Sequence, residues 1–560
     1  TDDDVTFQSA TTLTGAVDID TGAGAGTITF NDTLNGAQTL ALTAGSGNID
    51  FDGIVGGTTP LGAVTINQAA DVTISQAFSA ASFNQPVGTI GTGIFTLNGD
   101  LDTTVGGVTI SSATVDLNAN ITTIAGHDGT TDNGLVTINA GSGGVDLLVA
   151  KTIATTAAGL GVTSGAIDIN SVGSVNLAGN LLTIGALGDV AATGVGAVGG
   201  AVMIDTTDSA ATITLSHITT TGGAAAVGTN AAGGAAGTIT LTTDADGVIT
   251  LDDSAITAAG GAGDGAGSQG AGATIEFANA VELVTDDADI TTGATGGDIR
   301  FNNTINGAFG LTLTGGSGEV TLAGITGTAA TSANRLSDLT VVSAAATKFN
   351  DVFTTGAVSV TADAITLTGT TYDADASTML LTGPTRLGQN TTVTAATTTF
   401  AGLLDSTDDA ATPTAASNLR TLDITGDAVF GWAVGSNYAL GSLSVSGTTE
   451  LGGNVTTTKD VSVGTSGEQE YTNAVTLASD VVIATGNGNV LFSAALDSDA
   501  TTRDLTIAAG TGDITFAGKV GDGAALGDVT IESVDELVTN QSIDMASYLQ
   551  LGATSAIFKH

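Results

Sequence analysis

Whatever chemistry this chain performs must come from its acids. Of 56 acidic residues, 48 are Asp and 8 are Glu. The Asp come in close groups: Asp2-Asp3-Asp4, Asp252-Asp253, Asp286-Asp287 with Asp289, Asp373 with Asp375, Asp408-Asp409, and Asp497 with Asp499. Hard oxygen ligands gathered at a turn suit Ca2+. Asp286, Asp287 and Asp289 are the best-spaced set for it. Two other accounts stand beside a specific site. Asp is a favoured turn residue, and divalent cations screen an acidic surface diffusely. Neither an EF-hand loop nor a tandem Gly-Gly-x-Gly-x-Asp array is present.

Other reactive constellations are missing. His127, His217 and His560 are far apart and show no His-x-x-x-His spacing. The chain has no Cys, which excludes disulfides, thiolate-ligated metals and thiol catalysis. Gly45-Ser-Gly47 and its copies read as corners, since no Gly-Lys-Ser/Thr follows to cradle a phosphate. No Gly-x-Ser-x-Gly elbow occurs. Paired carboxylates could hydrolyse a glycosidic bond, but the ten Lys and Arg are dispersed and aromatics are 4%. The expectation is therefore no enzyme and no required cofactor. A formal charge of −46 repels phosphate backbones and excludes a nucleic-acid binder. No apolar run is long enough for a membrane-spanning helix.

The elements that hold these residues are short strands. An apolar-polar-apolar triplet recurs throughout, as in Ile28-Thr-Phe30, Val64-Thr-Ile66, Val108-Thr-Ile110, Ile167-Asp-Ile169, Ile275-Glu-Phe277 and Leu422-Asp-Ile424. A period of 2 gives each strand one apolar face. Thr, abundant here, suits a pleated surface. A longer unit also repeats. Residues 40–66 and 505–531 share 14 of 27 positions without a gap, each reading strand, Gly-x-Gly corner, strand. Partial copies sit at 135–147, 311–322 and 481–492. With one Trp in 560 residues, a wide sandwich core is hard to fill. A narrow core with one apolar layer per strand fits better.

The expected fold is all-β, a right-handed parallel β-solenoid of about 22–28 coils running through residues 1–560 as one domain. At about 4.8 Å per coil it would extend roughly 110–130 Å. A string of β-sandwiches and a propeller are the alternatives. Three Gly/Ala-rich inserts interrupt residues 184–275 at near-equal spacing, which places them on one side. They are either a ligand or partner surface, or tolerated loops that are floppy or packed through bare Gly backbone. Residues 533–560 read as an irregular C-terminal segment.

The 40–66 unit and the Thr-Thr-Thr-Gly-Gly-Ala-Ala inserts resemble the repeats of secreted bacterial β-solenoid proteins of the filamentous-haemagglutinin and autotransporter adhesin type. That resemblance implies an exported protein at the cell surface. Two features depart from it: no Asn-Pro-rich secretion domain near Thr1, and no membrane-barrel translocator after Leu551. The chain thus reads as a processed product or a section of a longer one. Zero Cys and few tryptic sites agree with export. Strand ends without polar caps are templates for more strands. Thr1, Asp2, Val5, Phe7, Ile557 and Phe558 are therefore expected to meet another copy of the chain or the rest of a longer one. Head-to-tail contacts of that kind do not close and make filaments. The functional expectation is a filament, sheath or surface-layer subunit. The alternatives are the stalk of a long adhesin and, third, a carbohydrate-active enzyme.

Overall fold

A computed structural model describes residues 3–86, 93–125, 134–157, 159–328, 332–407, 419–460, 464–552 and 555–558. Among these residues the regular structure is strand, with a single 3-10 turn at Ser332–Asn334 and no α-helix. Among the described residues no helix is long and apolar enough to cross a membrane. The chain forms two compact units, residues 1–305 with 313–318, and residues 306–312 with 319–560.

In the first unit the strands pair in parallel and fall into three columns. One column runs Val5↔Ile28, Ile28↔Ile49, Ile49↔Val72 and Phe95↔Val72, and continues through Val145↔Val175 and Val175↔Ile213. A second runs Val17↔Leu40, Leu40↔Val64 and Phe83↔Val64, and later Ile167↔Val202, Val202↔Ile239 and Ile239↔Ile275. The third runs Thr11↔Leu34, Phe78↔Leu101, Leu101↔Ile121, Ile121↔Ile153 and Ile153↔Leu181. The triplets supply these strands. Ile28–Phe30, for example, is buried at both apolar positions and half-buried at Thr29. Like residues stack on like. The rings of Phe7, Phe30 and Phe51 lie near-parallel at 4.7 and 5.4 Å between centroids, and Phe277 lies 4.4 Å from Phe301.

The second unit repeats the scheme. Val352↔Tyr372, Tyr372↔Val393, Val393↔Ile424 and Ile424↔Val445 lead through Tyr471 to Phe492, Phe516 and Thr539. One antiparallel pair, Lys459–Asp460 with Thr465–Ser466, interrupts the pattern. The two long sequence copies take equivalent places in their own units. Leu40 pairs with Val64 and Leu505 with Val529, and the register slips at the same point, after Leu42 and after Ile507. Each copy turns on a left-handed glycine, Gly56 (φ 69°) or Gly521 (φ 73°).

Residues 533–560 depart from the expected irregular segment. Glu536–Thr539, Met545–Gln550 and Ser555–Phe558 are strands that continue the columns, with Val529↔Tyr548 and Val538↔Ile557 in parallel register. Their side-chain alternation is weak, so period alone does not mark them. The backbone ladder below them sets their conformation.

A polar column runs inside the first unit. Thr103, Thr123, Thr155, Thr183 and Thr220 are fully buried and in register with one another. Each hydroxyl donates to a glycine carbonyl across the next corner: Thr103 to Gly106 at 2.6 Å, Thr123 to Gly134, and Thr155, Thr183 and Thr220 to Gly165, Gly200 and Gly237 at 2.6 Å. The bond clamps the two ends of each corner or insert, whatever the length between them.

Candidate functional site

The three inserts are ordered. Residues 185–200, 222–237 and 260–273 contain no strand and turn only at their tips, yet their backbones are hydrogen-bonded in several directions. Gly222 and Ala225 donate to the carbonyls of Ala259 and Ala262 at 3.2 and 2.8 Å. The intervening Gly223 and Ala226 donate to Ala197 and Gly194 at 2.7 and 2.8 Å, and the Ala224 carbonyl accepts from Gly188. The direction repeats every third residue. The same spacing holds for Gly185 and Gly188, for Gly196 and Gly199, and for Gly233 and Ala236. Three residues per turn without internal hydrogen bonds is polyproline II geometry. The inserts thus form a slab of extended helices bonded side by side.

Glycine makes this approach possible. A Cβ built on Gly223 would lie 1.7 Å from the Ala186 carbonyl oxygen, and one on Gly234 would lie 1.9 Å from that of Ala197. Of the two alternatives the sequence left open for the inserts, partner surface or tolerated loops, the structure shows bare backbone packing on bare backbone. Outward positions also recur by threes. Ile184, Leu187 and Val190 are exposed on one outgoing segment, and Val195 and Val198 on its return. Asp189 and Asp264 are the only charges in the three inserts. Both serve the insert tips. Asp264 accepts from the N–H groups of Thr229 and Asn230 at 2.8 and 3.0 Å, and Asp189 from Ala191 at 2.8 Å.

The proposed cation ligands do not converge. Asp286 and Asp287 are exposed at a turn that begins on the left-handed Thr285. Asp289 faces outward from the strand Ala288–Thr291, opposite Ala255. Among the described residues no three acidic or His side chains are arranged to hold a metal ion. The Asp287 N–H is taken by the Asp286 carboxylate, which is turn chemistry. His217 is exposed on its strand, while His127 and His560 lie outside the described residues.

Along the columns, outward acids instead meet one another. Asp116 is in register with Asp146, and burial, then that neighbour, raises its carboxyl above the ordinary range. Burial and then Asp168 do the same for Asp205. Burial is the leading cause at Asp50, Asp102 and Asp423 as well.

Of the expected end residues, Thr1 and Asp2 lie outside the described residues. Val5 and Phe7 are half-buried, as are Val17 and Ile19, whereas Ile28, Phe30, Leu40 and Leu42 in the next rung are buried. An open hollow of about 430 Å3 lies there, lined among others by Phe7, Leu13, Val17, Ile19 and Phe30. Ile557 and Phe558 lie in a strand paired on one side to Val538 and Thr539. Near them is a smaller apolar cavity of about 80 Å3, lined by Phe516, Val520, Leu537 and Tyr548 among others.

Compared with known protein families, with curated proteins and with solved structures, the chain matches none. The sequence reading missed two features, the Thr column and the polyproline II slab. Both leave a sequence trace. Thr ends several triplet strands just before Gly-rich stretches, and Gly-Gly pairs recur in the inserts.

Proposed function

We propose that the chain is an extracellular, non-enzymatic structural protein of the secreted bacterial repeat type, whose parallel columns are those of a right-handed β-solenoid. Further strands of the same kind continue its end rungs, supplied by a second copy in a filament, sheath or surface layer. The observation that carries this reading is the repetition of one rung in parallel register, like side chain on like, in each of the two units. A rung of this kind takes another parallel strand by backbone hydrogen bonding and apolar burial. Divalent cations enter as screening ions for the −46 charge rather than as ligands of one Asp cluster.

The stalk reading has its own support. The same rung, with the same slip and the same corner glycine, recurs at 40–66 and 505–531, as in a chain built by repetition. Sedimentation of the wild type and of Phe7→Asp, with electron microscopy of both, tests the proposal. Concentration-dependent end-to-end polymers that Phe7→Asp abolishes are the expected result. A species that stays monomeric at all concentrations sinks the filament in favour of the stalk.

A further inference from the structure

The buried threonines that clamp a corner share one geometry. The hydroxyl donates to the glycine carbonyl two residues before the next strand begins. Thr183 reaches Gly200 ahead of Val202, and Thr220 reaches Gly237 ahead of Ile239, each at 2.6 Å. In the second unit Thr354 reaches Gly356 ahead of Val358 at 2.7 Å, and Thr485 reaches Gly488 ahead of Val490 at 2.5 Å. A buried hydroxyl left without such a partner forfeits the bonds that water gave it in the unfolded chain.

Ser171 and Thr206 depart from this geometry. Each ends a strand of the second column in the first unit, Ile167–Ser171 and Val202–Thr206, and each lies on the inward face with the Ile and Val of its strand. They are 3% and 1% exposed. The equivalent acceptors are the carbonyls of Gly173 and Ala211, two residues before Val175 and Ile213. Neither hydroxyl reaches one, and among the described residues neither has any hydrogen-bond partner. Their neighbours along the column are satisfied. Ser112, two rungs earlier, donates to the Gly93 carbonyl at 2.7 Å, and Thr243, on the rung after Thr206, to that of Asp244 at 3.1 Å. The two unpaired hydroxyls are also stacked on each other. Ser171 and Thr206 are cross-strand partners in parallel register, which sets their side chains about 4.8 Å apart. That is too far for one hydrogen bond, but two bonds of about 2.8 Å that meet at a bent oxygen span it. Next to Ser171 comes Ala140, the smallest side chain of this inward column.

We propose that Ser171 and Thr206 form an internal binding site for one water molecule, held between their hydroxyls within the first unit. Internal waters occupy such places, bonding to two or more polar groups that the chain itself leaves unpaired. Each hydroxyl can donate or accept, so the water accepts from one and donates to the other. It ties rung 167–171 to rung 202–206 from the inside, as a glycine carbonyl does for the clamped threonines. This site is independent of how the end rungs are occupied.

The sign of one substitution tests this. Val keeps the shape of Thr and removes its hydroxyl. With water bound, Thr206→Val breaks a satisfied bond, and the unfolding constant from a urea titration should rise about fivefold. With a dry site, the same change removes an unpaired polar group, and that constant falls. Ser171→Ala should act in the same direction as Thr206→Val. The double variant should cost little more than either alone, because one water serves both side chains. A crystal structure of the wild type at about 1.5 Å should show a separate density peak about 2.6–3.2 Å from both hydroxyls. The peak should be missing from Thr206→Val. An unchanged or lowered unfolding constant in Thr206→Val overturns the proposal. So does a wild-type map without a shared peak, or one in which the two hydroxyls bond directly to each other.

Discussion

Thr183 shows what a single side chain contributes here. Its hydroxyl is buried and donates to the Gly200 carbonyl at 2.6 Å, closing the first insert at its root. Replacing it with Val keeps shape and burial but leaves the carbonyl without that donor. Thr183→Val should cost about 1–3 kcal/mol in a denaturant titration. Thr219→Val, half-exposed on the next rung's strand, should stay within about 0.5 kcal/mol. A ring in the ladder is worth more. Phe277 is buried against Phe301, and Phe277→Ala should cost about 3–5 kcal/mol by the same measurement. Residues such as Ile28, Phe30 and Phe277 were legible as core, because apolar-polar-apolar alternation reports burial directly. Thr183 and Thr220 were not. A Thr that points inward reads the same as one that points out. Only the register, which sets Thr183 on Thr155 and beneath Thr220, distinguishes them.

Among the elements, strands and inserts follow different rules. A strand is specified by side chains and tolerates many of them. The slab is specified by the absence of side chains. Gly223→Ala places a methyl where the Ala186 carbonyl oxygen sits, so the segments must separate. The expected loss is about 1–3 kcal/mol, the range of overpacking. The amides of Gly185 and Gly188, which donate to the Thr221 and Ala224 carbonyls across that contact, should then exchange with solvent faster, as deuterium uptake would show. Equal protection in the variant would mean the segments are not held by this approach. The inserts were visible as composition and spacing but not as structure. Polyproline II bundles carry no hydrophobic period, and Gly/Ala runs read equally well as loops. The last strands, Met545–Gln550 and Ser555–Phe558, were illegible for the opposite reason. They have little alternation and take their shape from the rung beneath.

For the molecule as a whole, charge sets the response to solvent. Burial raises the carboxyls of Asp50, Asp102, Asp116, Asp205 and Asp423. A raised folded-state pKa favours the folded chain when the group is protonated. That contribution is complete below the unfolded value of 3.8 and is lost as pH rises through the folded-state value. Two carboxyls run the other way. Asp4 is lowered by the Thr27 backbone N–H and Asp499 by the Arg503 side chain. The raised groups outnumber them, and protonation also relieves the −46 charge. The melting temperature should therefore rise as pH falls from 7 toward about 4.5, and the difference should shrink in high salt. A melting temperature that falls over this interval would contradict the assignment. The all-β character and parallel pairing were legible from the triplets and their spacing. A description in two compact units was not, because the triplet pattern does not change near residue 306.

The matched rungs at 40–66 and 505–531 bear on ancestry. Each rung seats on the one before it through the same backbone ladder, the same slipped residue and the same left-handed glycine. An in-frame duplication of one such segment therefore brings its own seat and offers an identical one to whatever follows. A gene of this design can grow or shrink by whole turns in a single recombination event, with no second mutation to repair the join. Close homologues should accordingly differ in length by multiples of one turn, more often than by substitutions in the buried columns.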